Sequence, residues 1–480
     1  MAKILLINPN KWGRGITPIW IASHTAILKK NFHEVFLFDA TFYENWSDFE
    51  NEFNTKNNQY KNSGYESFIN YKKNPVHQDL QSYINVIKPE FIFFGAISSH
   101  IHGEGEYSAI QYGYELLGPI ETNAVIICAG LQPTADVKKT AEKYNKINYF
   151  ITGESEFVLL DFISNYHTNT IQFVPGLTFR SGQKLISNQK QQIISNLDDI
   201  GHYDYSLFED INFLRPYNGE ILRAVDYELS RGCPFTCSYC VETVIQKYYD
   251  FHSHTSKGGL KKANDYLRNK SAKQIFQELK ILHEKYKVKL IRCQDTNFLT
   301  IKKSVLEELA LLLENSNLNI MLYIETRAEG INIGTINLLK RLKVDGIGMG
   351  IELSEENFRE ENLNRFSNQD AILNAFKLLK IANIKRTAYN VIGFPEQNES
   401  SILETIKFNK LLAPDNVTVA FFTPYMGTGQ NSKALNLNMF SDFEINLDSQ
   451  LRSATKSDTL DVDTLSFYKE NFSKLVGISN

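Results

Sequence analysis

Three of the five cysteines, Cys233, Cys237 and Cys240, fall in the run SRGCPFTCSYC. Thiolates spaced C-x-x-x-C-x-x-C on one short loop suit three irons of a [4Fe-4S] cube and leave the fourth iron without a protein ligand. A structural cluster fills all its corners, so an open corner points to an iron kept for a small molecule. A structural zinc site needs four ligands. No fourth cysteine follows closely, so zinc would have to recruit His252 or His254, whose spacing after Cys240 favours loop, solvent or substrate roles. Cys128 in VIICAG and Cys293 in LIRCQD end apolar runs and read as packing residues, with substrate contact as an alternative for Cys293.

The elements that must position this loop alternate between strand and helix. Candidate strands at 222–229, 288–293, 320–324, 346–350, 386–392 and 417–421 are separated by helical stretches at 272–285, 303–315, 333–342, 369–381 and 401–411. Ile275, Leu279 and Leu282 recur at helical spacing and mark a core face. Such repetition fits an open or closed parallel barrel, and the cysteines directly follow its first strand, at the carboxyl end where sites in such folds lie. An earlier α/β rhythm, with strands at 3–7, 34–38, 91–95, 124–128 and 148–151, predicts a doubly wound sheet. The Asn-rich run Asn45–Asn62 reads as a surface excursion. The expected organisation is 1–165, an interdomain segment at 166–220 whose aromatics pack on both neighbours, a catalytic core at 221–430, and a helical tail at 431–480.

At 480 residues, with 42% hydrophobic and 22% charged residues, the chain reads as a soluble protein of two or three domains. A net charge of −4 argues against a general nucleic-acid surface. The stretch Lys257–Lys273 reads as a solvated connection. Sparse, clustered cysteines suit a reducing compartment rather than a disulfide framework. Without a signal-like start or a long apolar span, the expected location is the cytoplasm.

The cysteine spacing, with an aromatic before the last cysteine, resembles the signature of the radical S-adenosylmethionine (SAM) enzymes. That resemblance implies SAM chelated at the open iron and cleaved to a 5'-deoxyadenosyl radical. It covers roughly Ala224 to Gly429 and implies a partial (β/α)6 TIM-like barrel. Gln294-Asp295-Thr296-Asn297 resembles the strand end near the SAM amino group. Glu325 and Arg327 resemble a pair at its carboxylate or ribose, for which the Arg fork is suited; a strand-cap ion pair is the plainer alternative. Gly350-Ile351-Glu352 resembles the close SAM approach, Gly393-Phe394-Pro395 the segment along the adenine, and Pro424-Tyr425 with Gly427-Thr428 the terminal turn of the core.

The first domain resembles the Rossmann-like cobalamin-binding domain that precedes one large class of these cores. Asn8-Pro9, Gly95–Ser98, the run Cys128-Ala129-Gly130-Leu131-Gln132-Pro133-Thr134, and Gly153-Glu154-Ser155-Glu156 carry the likeness, with Leu131 and Ser155 standing where that class often has glycine-like positions. By this resemblance Gly130 and Gly153 allow close approach of the cofactor, and Ser98 and Thr134 offer hydrogen bonds; the alternative is ordinary turns in a cofactor-free domain. No G-x-G-x-x-G follows the first strand. No Asp-x-His-x-x-Gly run occurs, and neither His100 nor His102 recreates it, so cobalamin is expected without histidine as lower ligand. His24 and His33 read as packing or helix-surface residues.

The resemblance implies a cobalamin-dependent radical SAM methyltransferase acting on an unactivated carbon of a small molecule or peptide. An electron donor such as flavodoxin or ferredoxin would serve it. Cyclisation, rearrangement or ring contraction is the enzymatic alternative, and a noncatalytic iron-sulfur or cobalamin-binding regulator the other. Tyr248, Tyr249, His252 and His254 are candidates for positioning substrate, or for an ordered loop.

Overall fold

The computed structural model describes residues 1–97, 103–251, 253–440 and 457–478, with the side chains of 103–108 excepted. Seven strands form the first sheet: β1 (Lys3–Asn8), β2 (Glu34–Asp39), β3 (Phe91–Phe94), β4 (Val125–Cys128), β5 (Tyr149–Ile151), β6 (Leu177–Ser181) and β7 (Lys184–Ser187). Their order is 2-1-3-4-5-6-7, with β1 to β5 parallel and the last two antiparallel. All four residues of β3 (FIFF) are buried, as a central strand covered on both faces requires. Strand order reverses between β1 and β3, which opens a crevice beyond their carboxyl ends.

The second sheet comprises β8 (Leu214–Tyr217) and β9 (Glu220–Tyr227), then, after a short ribbon of β10 (Ser230–Arg231) and β11 (Arg268–Asn269), β12 (Leu290–Cys293), β13 (Met321–Glu325), β14 (Val344–Glu352), β15 (Lys385–Ile392) and β16 (Asn416–Phe421). The order is 16-15-14-13-12-9-8, all parallel except β8, which makes the expected six-stranded partial barrel. Buried and half-buried residues alternate along β15 and β16, so one face meets the helices and the other the lumen. The helices Ala272–Tyr286, Ile333–Arg341 and Gln369–Ile381 start at Ser271, Asn332 and Asn368, whose side chains accept from their first-turn N–H groups. Each such cap contributes about 1 kcal/mol.

On β14 the lumen face is Gly346, Gly348 and Gly350, and packing explains why. A Cβ on Gly346 would lie 2.5 Å from the Tyr217 hydroxyl, and one on Gly348 would lie 2.5 Å from the Tyr389 ring. Bare backbone there lets large rings cross the lumen. Gly348→Ala is expected to destabilise the protein by about 1–3 kcal/mol through overpacking, read as a lower urea midpoint with unchanged slope.

The segment at 166–220 contributes strands to both sheets, and its buried Leu197, Tyr203, Tyr205 and Phe213 join one apolar core that runs through both domains. The Asn-rich run is not a surface excursion. Glu50, Asn51, Asn54 and Gln59 are buried, because the segment seals the open edge of the half-barrel. There Gln59 accepts from the β16 backbone N–H of Val419 (3.0 Å), while Lys469 of the helix Val462–Val476 donates to the Val419 carbonyl (2.6 Å). An unpaired strand edge is thus satisfied by polar side chains, which is why a polar run ends up inside. Among the described residues no helix is long and apolar enough to cross a membrane.

Candidate active site

The cysteine loop leaves β9 through β10 and is held by backbone contacts rather than by its thiols. Glu242 accepts from the Cys233 N–H (3.1 Å) and the Tyr266 hydroxyl (2.6 Å), while Gln246 donates to the carbonyls of Cys233 and Phe235, both at 2.9 Å. Asp295, fully buried at the end of β12, accepts from the N–H groups of Leu229 (3.1 Å) and Ser230 (2.6 Å); burial pushes its carboxyl up to about 7 against those donors. Cys233, Cys237 and Cys240 all reach one cavity of about 520 Å³. Burial raises the Cys233 and Cys240 thiols well above their ordinary range, with Glu242 adding to it, so cationic iron is what would make thiolates of them. No three His, Cys, Asp or Glu side chains among the described residues converge on a single ion. A cube spaces its ligands more widely than one ion does, and three thiols with no fourth ligand are the donor set a cube with one open iron would take.

Beyond the cysteines, the cavity wall is built by the ends of β12 to β15. Arg327 stacks its guanidinium 3.9 Å from the Phe235 ring centroid, with one nitrogen 3.8 Å from the Cys237 sulfur. Its carboxylate is Glu329 (2.6 Å), while Glu325 accepts from the Tyr389 hydroxyl (3.1 Å). Glu325 and Arg327 thus bond different side chains, Tyr389 and Glu329. Tyr239, the aromatic before Cys240, donates to Glu352 (2.9 Å) and accepts from Arg365 (3.2 Å). Glu352 sits at φ 61°, and a Cβ on Gly350 would lie 2.3 Å from its carboxylate oxygen. Phe394 packs against Tyr239 and Phe422 at ring distances of 5.6 and 5.2 Å. Gln294, Glu325, Arg327, Gly350, Glu352 and Phe394 thus share the cavity with the cysteines. Gly393 and Pro395 lie outside its lining, and Gly393 instead forms a turn at φ 87° that donates to Gln397 (2.7 Å).

From the first domain, Asn8 and Pro9 line the same cavity, with Trp12 and Tyr112 beside them. Gly130, Leu131, Gln132, Thr134, Gly153 and Glu154 do not. Thr134 accepts from the Gly153 N–H (2.9 Å), and Gln132 from the Tyr144 hydroxyl (3.2 Å). Leu131 joins an apolar cluster with Ile97, Ile245 and Leu260. A Cβ on Gly153 would meet the Tyr248 ring and the Tyr249 hydroxyl at 2.6 Å, and those tyrosines bond Thr152 and the Glu154 N–H. Tyr248 and Tyr249 therefore dock one domain on the other. Glu154 pairs with Arg268 (2.8 Å) and Arg231 (3.3 Å). Ser155, where a glycine was the expected type, lies 3.0 Å from His24 Nε2. Ser98, His100, His102 and His252 fall outside the described residues, and His254 is exposed. Cys128 and Cys293 are buried, as packing residues should be.

Sequence reasoning missed Arg365, Glu242 and a set of lumen residues: Arg14, Glu50, Arg215, Asp226, Arg292, Tyr323 and Tyr389. The signal for Arg292 was present. A charge inside the apolar strand run LIRC, in a sheet whose alternate residues face a lumen, marks a lining position.

Residues 227–408 match the radical SAM superfamily. An anaerobic magnesium-protoporphyrin IX monomethyl ester cyclase of Synechocystis is 24% identical over 309 residues, 64% of this chain and 57% of that protein. An uncharacterized methyltransferase of Pyrococcus horikoshii is 24% identical over 310 residues, 64% of this chain and 62% of that one. The chain thus spans less than two thirds of either relative. Among solved structures, the radical SAM methyltransferase TsrM from Kitasatospora setae, with cobalamin and a [4Fe-4S] cluster bound, superposes with a TM-score of 0.65 at 14% identity, covering 89% of this chain and 77% of that one. The cobalamin-dependent radical enzyme OxsB, with aqua-cobalamin and SAM bound, gives 0.65 at 12%, covering 99% and 66%. At these identities what is shared is the fold, a doubly wound domain followed by a half-barrel.

Proposed function

We propose that this chain, a radical SAM enzyme by its domain at 227–408, is cobalamin-dependent and transfers a methyl group to an unactivated carbon of a small molecule or peptide. The observation that carries the reading is that the three cysteines and the loop after β1 face one cavity, so two cofactors held there would meet one substrate. When bound, a [4Fe-4S] cluster on Cys233, Cys237 and Cys240 supplies the electron that cleaves SAM, and cobalamin supplies a transferable methyl group. The protein's own part is orientation and exclusion of water. Arg365, Tyr239 and Glu352 form a polar chain beside the glycine wall of β14 that would hold the polar end of SAM. Phe394 and Phe422 offer an apolar face for its adenine. Asn8 and Pro9, at the strand reversal, would receive the cobalamin, which we expect without a histidine lower ligand, while Gly130 to Thr134 and Gly153-Glu154 keep that domain seated against the barrel. The enzyme would work in the cytoplasm with a low-potential donor such as flavodoxin or ferredoxin.

The likeness to a cyclase favours one second reading, radical cyclisation without net methylation. Anaerobic turnover with methyl-labelled SAM, cobalamin and reductant separates the two. Methyl transfer predicts 5'-deoxyadenosine and S-adenosylhomocysteine together with a labelled product. Substrate-dependent 5'-deoxyadenosine with an unlabelled product would replace it with cyclisation.

A further inference from the structure

Below the SAM-side wall, one layer down the strands, three guanidiniums face the cavity: Arg14, Arg215 and Arg292. Two of them are matched. Arg14 donates to Glu50 (2.6 Å), whose other oxygen receives Tyr60 (2.6 Å) and Asn54 (3.0 Å). Arg215 pairs with Asp226, whose oxygens also receive Gln294 (2.9 Å) and the Thr17 N–H (3.0 Å). Arg292 is level with Asp226 and Tyr323 in the sheet register, and its guanidinium has no hydrogen bond or ion pair among the described residues. Its guanidinium lies 5.9 Å from the Tyr323 ring centroid, and the Tyr323 and Tyr389 hydroxyls meet at 2.7 Å beside it. Asp226 and Glu325 are within electrostatic reach, yet neither bonds it.

A planar donor fork held inside a chamber with its hydrogen bonds unmade is costly unless a ligand supplies the acceptors. We propose that Arg292 anchors a carboxylate of the substrate, with the Tyr323–Tyr389 pair flanking it. Asp226 and Glu325 already offset part of its charge, which suits a carboxylate monoanion better than a phosphate dianion, and its fork can bind both carboxylate oxygens. This inference rests on the functional reading above and names its substrate class.

The test uses the full chain with its cluster reconstituted anaerobically. Calorimetric titration compares acetate, butyrate and 3-phenylpropionate with their primary amides and with the matching phosphonates. At least one acid should bind tenfold or more tighter than its amide. Arg292→Gln should weaken that acid at least tenfold, and Arg292→Lys should fall between, since a point charge keeps attraction but loses the fork. Circular dichroism and iron content verify that each variant is folded; should Arg292→Gln fail to fold, Arg292→Lys and the acid–amide comparison still decide. No acid binding, equal binding of acid and amide, or an unaffected Arg292→Gln overturns the assignment, and tighter phosphonate binding overturns the choice of carboxylate. Acid preference with no reductive SAM cleavage would instead sink the radical SAM reading and leave this site standing.

Discussion

Cys237→Ala is expected to lose the visible absorbance of the cluster after anaerobic reconstitution, with reductive cleavage of SAM falling to background. The same result is expected at Cys233 and Cys240, since each thiol would hold a different iron and none can substitute for another. Cys237 has the added neighbour Arg327, whose guanidinium lies 3.8 Å from the sulfur and would offset part of a bound cluster's negative charge. The supporting carboxylate makes a graded comparison possible. Glu242 touches no iron ligand atom; it accepts the Cys233 N–H and the Tyr266 hydroxyl. Glu242→Ala should therefore weaken iron binding about 10–100-fold rather than abolish it, the usual effect of removing a group that orients a ligand. Iron and sulfide per chain and 5'-deoxyadenosine formed with dithionite read both effects. A wild-type protein that takes up one tightly held zinc and no iron would refute the cluster assignment outright.

The contrast between what was legible and what was not follows the range of each signal. The cysteine run is local in sequence, and a loop after the first barrel strand can lie only at the carboxyl rim, so its place was readable. Parallel strands are equally plain, because β3 and β12 are short apolar runs between helical patterns. The Asn45–Asn62 segment misled because its composition is that of a loop. Its burial depends on an unpaired edge, β16, more than 350 residues further along the chain, as the 360-residue separation of the Gln59–Val419 contact illustrates. Gly153-Glu154 was a motif many of whose contacts lie outside its own domain. The close approach that its glycine permits is used by Tyr248 and Tyr249, and the carboxylate of Glu154 by Arg231 and Arg268. Turn chemistry reveals that something must come close, not what.

The same interdomain contact should dominate stability. Arg231 is 3% exposed and lies within ion-pair distance of Glu156 (2.6 Å), Glu228 (2.8 Å) and Glu154 (3.3 Å). Two of these acids come from the first domain and one from the strand end that leads into the cysteine loop. Arg231→Met would leave buried carboxylates without their cation, a change that costs about 3–5 kcal/mol, and should lower the urea midpoint far more than Gly348→Ala does. The dependence on pH identifies the cause. Burial alone would raise the Glu156 carboxyl, but Arg231, helped by His24, outweighs it and holds the group at about 2 against an ordinary 4.5. In the wild type the stability from this ionised acid is complete above pH 4.5 and is lost as pH falls from there toward 2. Without Arg231 burial prevails, the Glu156 pKa rises above its ordinary value, and protonation relieves the variant. His24, itself pushed low by burial, faces the same carboxylate and is present in both proteins. The stability gap between wild type and Arg231→Met should therefore narrow as pH is lowered from 8 toward 5. A gap that is constant with pH would mean that lost packing, rather than unpaired charge, accounts for the defect.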